Sequence, residues 1–143
     1  MKSKLILMGS LAVISLCFFG CSPVPKQVSV EASCDDFYEH QVISQEVEVA
    51  VDGLLTVTLC SNPSTGFQWE SAQISGQAVL QQPDHKFVSP ESELPPPPGT
   101  PSQEVWTFQA LNKGTSTISM EYSRPWEGGE KAEWTFVLTA VVK

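Results

Sequence analysis

The chain has 143 residues, of which 41% are hydrophobic and 17% charged, with 11 Pro, 4 Cys and a net charge of −8. That length supports one domain, or one domain with a tail, since single domains usually run to about 100–150 residues. Eight scattered basic residues argue against nucleic acid as a partner, because its phosphates need clustered Lys and Arg.

Residues 1–20 read as an export signal. Lys2 and Lys4 precede an apolar run from Leu5 to Phe19, which is shorter than the roughly 20 residues that a membrane span needs. Gly20-Cys21 at its end looks like a bacterial lipobox, with cleavage before Cys21 and lipid attached to its sulfur. The preceding Phe18 and Phe19 depart from the usual Leu and small residue of such sites, so plain secretion and an uncleaved anchor are the other outcomes. Loss of Lys2 and Lys4, with no acid lost, takes the net charge from −8 to −10. A lipid on Cys21, not a basic face, would therefore hold this acidic module at a membrane. The expected location is the cell exterior or periplasm, membrane-anchored, or secreted if Cys21 is not lipidated. Residues 21–41 are read as an anchored linker and N-terminal segment, opening with Pro23 and Pro25.

Cys17 leaves with the signal and Cys21 takes the lipid, so Cys34 and Cys60 remain in an oxidising compartment. A disulfide between them would close a loop of about 26 residues, worth around 3 kcal/mol in the chain-entropy model. The alternative is a pair of separate buried thiols.

From there the sequence alternates. Leu55, Val57 and Leu59 share one face, as do Trp106, Phe108 and Ala110, then Ile118, Met120 and Tyr122. Trp134, Phe136, Leu138, Ala140 and Val142 form the longest such run. Period-two patterns rich in Val, Thr and aromatics mark half-buried strands, and Asp52-Gly53, Asn62-Pro63, Lys113-Gly114 and Gly128-Gly129 mark turns between them. The nearest helical candidate is the short segment 35–43. The pattern predicts an all-β fold, an antiparallel immunoglobulin-like β-sandwich of seven to eight strands over residues 42–143.

Three segments break the alternation. Asn62-Pro63-Ser64-Thr65-Gly66-Phe67 combines a fixed φ at Pro63 with a permissive one at Gly66, and leaves a small polar tip. Glu91–Gln103 carries four consecutive prolines, Pro95–Pro98, which impose an extended conformation. Tyr122–Gly129 is interrupted by Pro125, so Arg124 and Trp126 project from a loop, and both residue types are enriched in binding hot spots. Taken alone, each also fits a plain surface feature: an ordinary turn, a variable loop, or a Trp folded back with Arg124 paired to Glu127 or Glu121.

NPSTGFQW followed downstream by YSRPWEGG resembles the chagasin family of cysteine-protease inhibitors. The resemblance covers about residues 42–143 and implies three loops at one end of an immunoglobulin-like sandwich. It implies reversible, non-covalent, competitive inhibition of papain-like cysteine proteases, with Thr65 presented to the catalytic Cys–His pair. Asn62, Pro63, Ser64, Gly66 and Phe67 would shape that first loop, and Arg124, Pro125 and Trp126 would bind on the leaving-group side. In the middle loop the family's glycine-rich stretch is replaced by prolines, and Gly99 and Thr100 remain as candidate contacts.

The competing expectation is an exported immunoglobulin-like envelope or adhesion module, which would bury Trp126 and tolerate change at Thr65. An enzyme lacks support. The carboxylate pairs Asp35-Asp36, Glu91/Glu93 and Glu127/Glu130 read as solvated surface, and His40 and His85 have no motif around them. No cofactor or metal is expected. The partners expected are a papain-like protease and, through Cys21, a membrane; the oligomeric expectation is a monomer.

Overall fold

The computed structural model describes residues 22–76, 78–90 and 95–143. The export signal and the lipidation at Cys21 lie outside the described residues.

Nine strands and one short helix make up the described body. In chain order they are β1 (Gln27–Ala32), α1 (Cys34–Glu39), β2 (Val42–Val49), β3 (Leu54–Ser61), β4 (Gln68–Trp69) and β5 (Gln73–Ile74). Then follow β6 (Leu80–Val88), β7 (Ser102–Ala110), β8 (Gly114–Ser123) and β9 (Trp134–Val142). One sheet runs β1-β3-β7-β6; the other runs β2-β9-β8-β4, with β5 also on β8. This is an immunoglobulin-like sandwich. The strand count passes the expected seven or eight because β4 and β5 are two residues each.

All fourteen residues assigned to inward faces from the alternation are buried, among them Leu55, Trp106, Ile118 and Phe136. Strand direction departs from the expectation in two places. β1 pairs with β3 in parallel, and β2 pairs with β9 in parallel, while the remaining pairings are antiparallel. The chain enters one sheet with β1, crosses the end of the sandwich through α1, and enters the other with β2. Alternation reports which face is buried, and carries no information on direction.

The folded body also begins earlier than residue 42. β1 alternates Val28, Val30 and Ala32 inward against Ser29 and Glu31, and α1 packs Phe37 fully into the core. Ser33 caps α1 through a reciprocal box. Its hydroxyl accepts from the Asp36 backbone N–H at 3.2 Å, and the Asp36 carboxylate accepts from the Ser33 backbone N–H at 2.8 Å. Those bonds, first the Ser33 hydroxyl's own donation and then the backbone one, hold the Asp36 carboxyl below its ordinary range. Cys34 and Cys60 form a disulfide, with Cα atoms 5.1 Å apart, which fastens the start of α1 to the end of β3. The alternative of two free thiols is thereby set aside.

Candidate functional site

The sandwich end that carries the disulfide also carries the Asn62–Phe67 loop. A 3-10 turn spans Pro63–Thr65, and Asn62 organises it. The Asn62 carbonyl accepts from the Thr65 backbone N–H at 3.1 Å and from the Thr65 hydroxyl at 2.6 Å. Its side-chain Oδ1 accepts from the Ser64 hydroxyl at 2.7 Å. Its backbone N–H donates to the buried Tyr122 hydroxyl at 2.8 Å. Ser64 and Thr65 are exposed, yet both hydroxyl protons are used inside the loop. The loop therefore presents a small polar tip held rigidly by its own hydrogen bonds.

Gly66 is required twice. Its φ of 79° is left-handed, and a Cβ there would lie 2.7 Å from the Trp126 ring. Trp126 thus lies across the first loop, and the two loops pack as one unit. Trp126 remains 52% exposed, at the same end as exposed Thr65.

Its own loop is braced from behind. The Arg124 guanidinium lies 4.4 Å over the Phe67 ring, and Nη1 donates to Glu130 at 2.8 Å. Glu130, not Glu127 or Glu121, is the ionic partner of Arg124. Lys131 Nζ donates to the Arg124 carbonyl at 2.7 Å, and Gly129 N–H closes a turn on the Trp126 carbonyl at 3.1 Å. Phe67 in turn stacks on Tyr122, Tyr122 on Trp134, and Trp134 on Phe37 of α1. An unbroken aromatic column therefore runs from Arg124 through the core to the helix.

The proline-rich segment ends in a tight turn. The Thr100 backbone N–H and hydroxyl donate to the Pro97 carbonyl at 3.1 Å and 2.7 Å, with Gly99 at φ 88°. Left-handed glycine at the third position is what a type II turn requires, and proline at the second is common there. The Gly99 carbonyl accepts from Asn62 Nδ2 at 3.1 Å, which brings the proline-rich middle segment against the first. All three sequence-singled segments therefore meet at one edge.

Between the Asn62–Phe67 and Tyr122–Gly129 loops lies a groove of about 500 Å³, bordered by Pro63, Gly66, Phe87, Pro125 and Trp126. On its floor sits a charged group that sequence reasoning passed over. Glu104 is only 8% exposed, accepts from the Ser61 hydroxyl at 2.7 Å, and lies 2.9 Å from His85 Nε2. His85 stacks flat on Trp106, ring centroids 4.5 Å apart. The signal was present: Glu104 occupies an inward register between Ser102 and Trp106, where an apolar side chain is the rule. Ser61 directly precedes Asn62, so this buried network steadies the base of the first loop. Among the described residues, no three His, Cys, Asp or Glu side chains gather into a metal-binding group.

Comparison with known proteins bears on this edge. The family described as "Chagasin family peptidase inhibitor I42" matches residues 48–140. The chain is 35% identical over 83 residues to Chagasin from Trypanosoma cruzi, covering 56% of this chain and 73% of that protein. It is 29% identical over 97 residues to Amoebiasin-2 from Entamoeba histolytica, covering 68% of this chain and 76% of the relative. Among solved structures, the cysteine protease inhibitor EhICP2 from Entamoeba histolytica superposes with a TM-score of 0.62 at 22% identity. That match covers 83% of this chain and 99% of the other.

Proposed function

The chain belongs to the chagasin family of peptidase inhibitors, and on that premise we propose that it inhibits papain-like cysteine proteases reversibly, competitively and without covalent chemistry. Members of the family are inhibitors and not enzymes. The first loop enters the cleft with Thr65 toward the catalytic pair. Arg124, Pro125 and Trp126 engage the leaving-group side, and the Pro97–Thr100 turn engages the other.

The observation that carries the reading is the packing of half-exposed Trp126 across Gly66 beside exposed Thr65. A plain envelope or adhesion module would keep that indole in its core. Rigid loops lower the ordering cost of association, so affinity is not spent on fixing them. Blockade without cleavage fits the backbone of the tip: Pro63–Thr65 is a closed 3-10 turn held by backbone bonds from Thr65 and Gly66, and it does not offer an extended peptide in a substrate conformation.

Export and anchoring through lipid on Cys21 belong to the same proposal, supported by the basic start, the apolar run and Gly20-Cys21. The inhibitor would then act at the outer side of a membrane. The kinetic test is steady-state hydrolysis of a fluorogenic peptide by papain at rising substrate concentration, with the purified full chain in mild detergent. Inhibition that rising substrate relieves, with the chain recovered at intact mass, is the expected result. Inhibition that substrate does not relieve, or a chain cut within Asn62–Phe67, would contradict it.

A further inference from the structure

On the opposite flank of the first loop from the Glu104 groove, α1 brings a large side chain to the same edge. Tyr38 is 70% exposed, although its ring meets Trp134 edge-on at 5.4 Å. Its neighbour Phe37 is fully buried and stacked on Trp134, so the two faces of this short helix are fixed. The Cys34–Cys60 disulfide ties the start of this helix to Cys60, two residues before Asn62. Between Tyr38 and the first loop lies a concavity of about 200 Å³, lined by Tyr38, Thr65, Phe67, Arg124 and Trp134 among others. Three of those residues are Thr65, Phe67 and Arg124, so the concavity is continuous with the loop edge.

We propose that Tyr38 on α1 is a fourth contact element, which, together with the first loop, clasps one apolar side chain from the protease surface bordering its cleft. This rests on the protease reading above and extends it to a segment outside the matched residues 48–140. The chemistry favours such a contact. Tyrosine offers a wide apolar face at the entropic cost of only two rotatable bonds, and is enriched where binding energy concentrates. Tyr38 stands on a helix already tied by a disulfide, a cap and a buried Phe, so little further order is lost when a partner meets it. The concavity is of the size to admit one aliphatic or aromatic side chain, with the Phe67 ring and the Thr65 side chain at its wall.

The test compares the full chain with Tyr38→Ala, Tyr38→Glu and Tyr38→Phe in inhibition of papain, with thermal melting as the folding control. The expected result is about a tenfold rise in inhibition constant for Tyr38→Ala, mostly through faster dissociation, with Tyr38→Phe close to the unsubstituted chain. Tyr38→Glu places a charge at the same exposed position and should weaken inhibition at least as much. If both Ala and Glu variants inhibit like the unsubstituted chain, while Trp126→Ala weakens it, the Tyr38 contact is overturned and the three-loop reading stands. If the unsubstituted chain leaves papain fully active, the three-loop reading falls and this contact with it.

Discussion

The two sides of the loop edge are built on different physical terms. The Asn62–Phe67 and Arg124–Gly129 loops are cross-braced by packing: Trp126 lies on Gly66, and Arg124 lies on Phe67. The Pro97–Thr100 turn is rigid by covalent means, through proline and one left-handed glycine, and a Cβ on Gly99 would meet nothing within 4 Å among the described residues. Among the described residues, one hydrogen bond, from Asn62 Nδ2 to the Gly99 carbonyl, joins it to its neighbour. Rigidity through packing makes two loops fail together. Rigidity through proline leaves one loop free to change with little effect on the other two.

Substitution separates these two constructions. Gly66→Ala should have the largest effect, because it forces a side chain into a left-handed φ and into the Trp126 ring at once. Stability should fall by about 2 kcal/mol, and inhibition of papain by about thirtyfold or more, as the indole is displaced. Unchanged inhibition would show that the two loops are not one unit. Trp126→Ala should cost about 2 kcal/mol of binding, again roughly thirtyfold, with melting temperature nearly unchanged. A collapse of melting temperature instead would return Trp126 to a structural role.

Gly99→Ala sharpens the contrast from the other side. Only the backbone penalty applies there, so stability should drop by about 1 kcal/mol while inhibition moves less than about threefold. A loss as large as that of Gly66→Ala would mean that the middle turn is braced as tightly as its neighbours.

The smallest effect lies at the cap of α1. The folded-state carboxyl of Asp36 is held below its ordinary range, so its contribution is present above about pH 4 and is lost as pH falls through the lowered value. Asp36→Asn should therefore lower stability at neutral pH, and the gap to the unsubstituted chain should close in acid. Denaturant unfolding at pH 7 and at pH 2.5 reads this directly; a gap that persists in acid would assign the loss to something other than the carboxylate.

Much of this architecture was legible before any coordinates. Leu55, Val57 and Leu59, or Trp134 through Val142, declare their buried face because each strand is half-covered and long. The first and third loops declare themselves because Pro63, Gly66 and Pro125 pin backbone angles that few other residues supply. β1 was harder: QVSVEA offers three small apolar positions behind a proline-containing stretch, too little contrast to distinguish from a linker. β6 carries Pro83, with a register shift between Gln81 and Asp84, and is mostly exposed, so its alternation is blurred as expected of an edge strand. The bonds from Ser61 to Glu104 and from Asn62 to Gly99 join residues 43 and 37 positions apart. Pairings at that separation come from sheet register, which local patterns do not encode.

The central claim is that the loop edge occupies the protease cleft, and one binding comparison tests it most directly. Immobilised chain would be exposed to papain with a free active site, and to papain whose catalytic Cys carries a covalent cleft-filling reagent. Saturable binding of free papain, with no detectable binding of the blocked enzyme, is the predicted result. Equal binding of both forms would contradict the account, because it would place the contact away from the cleft.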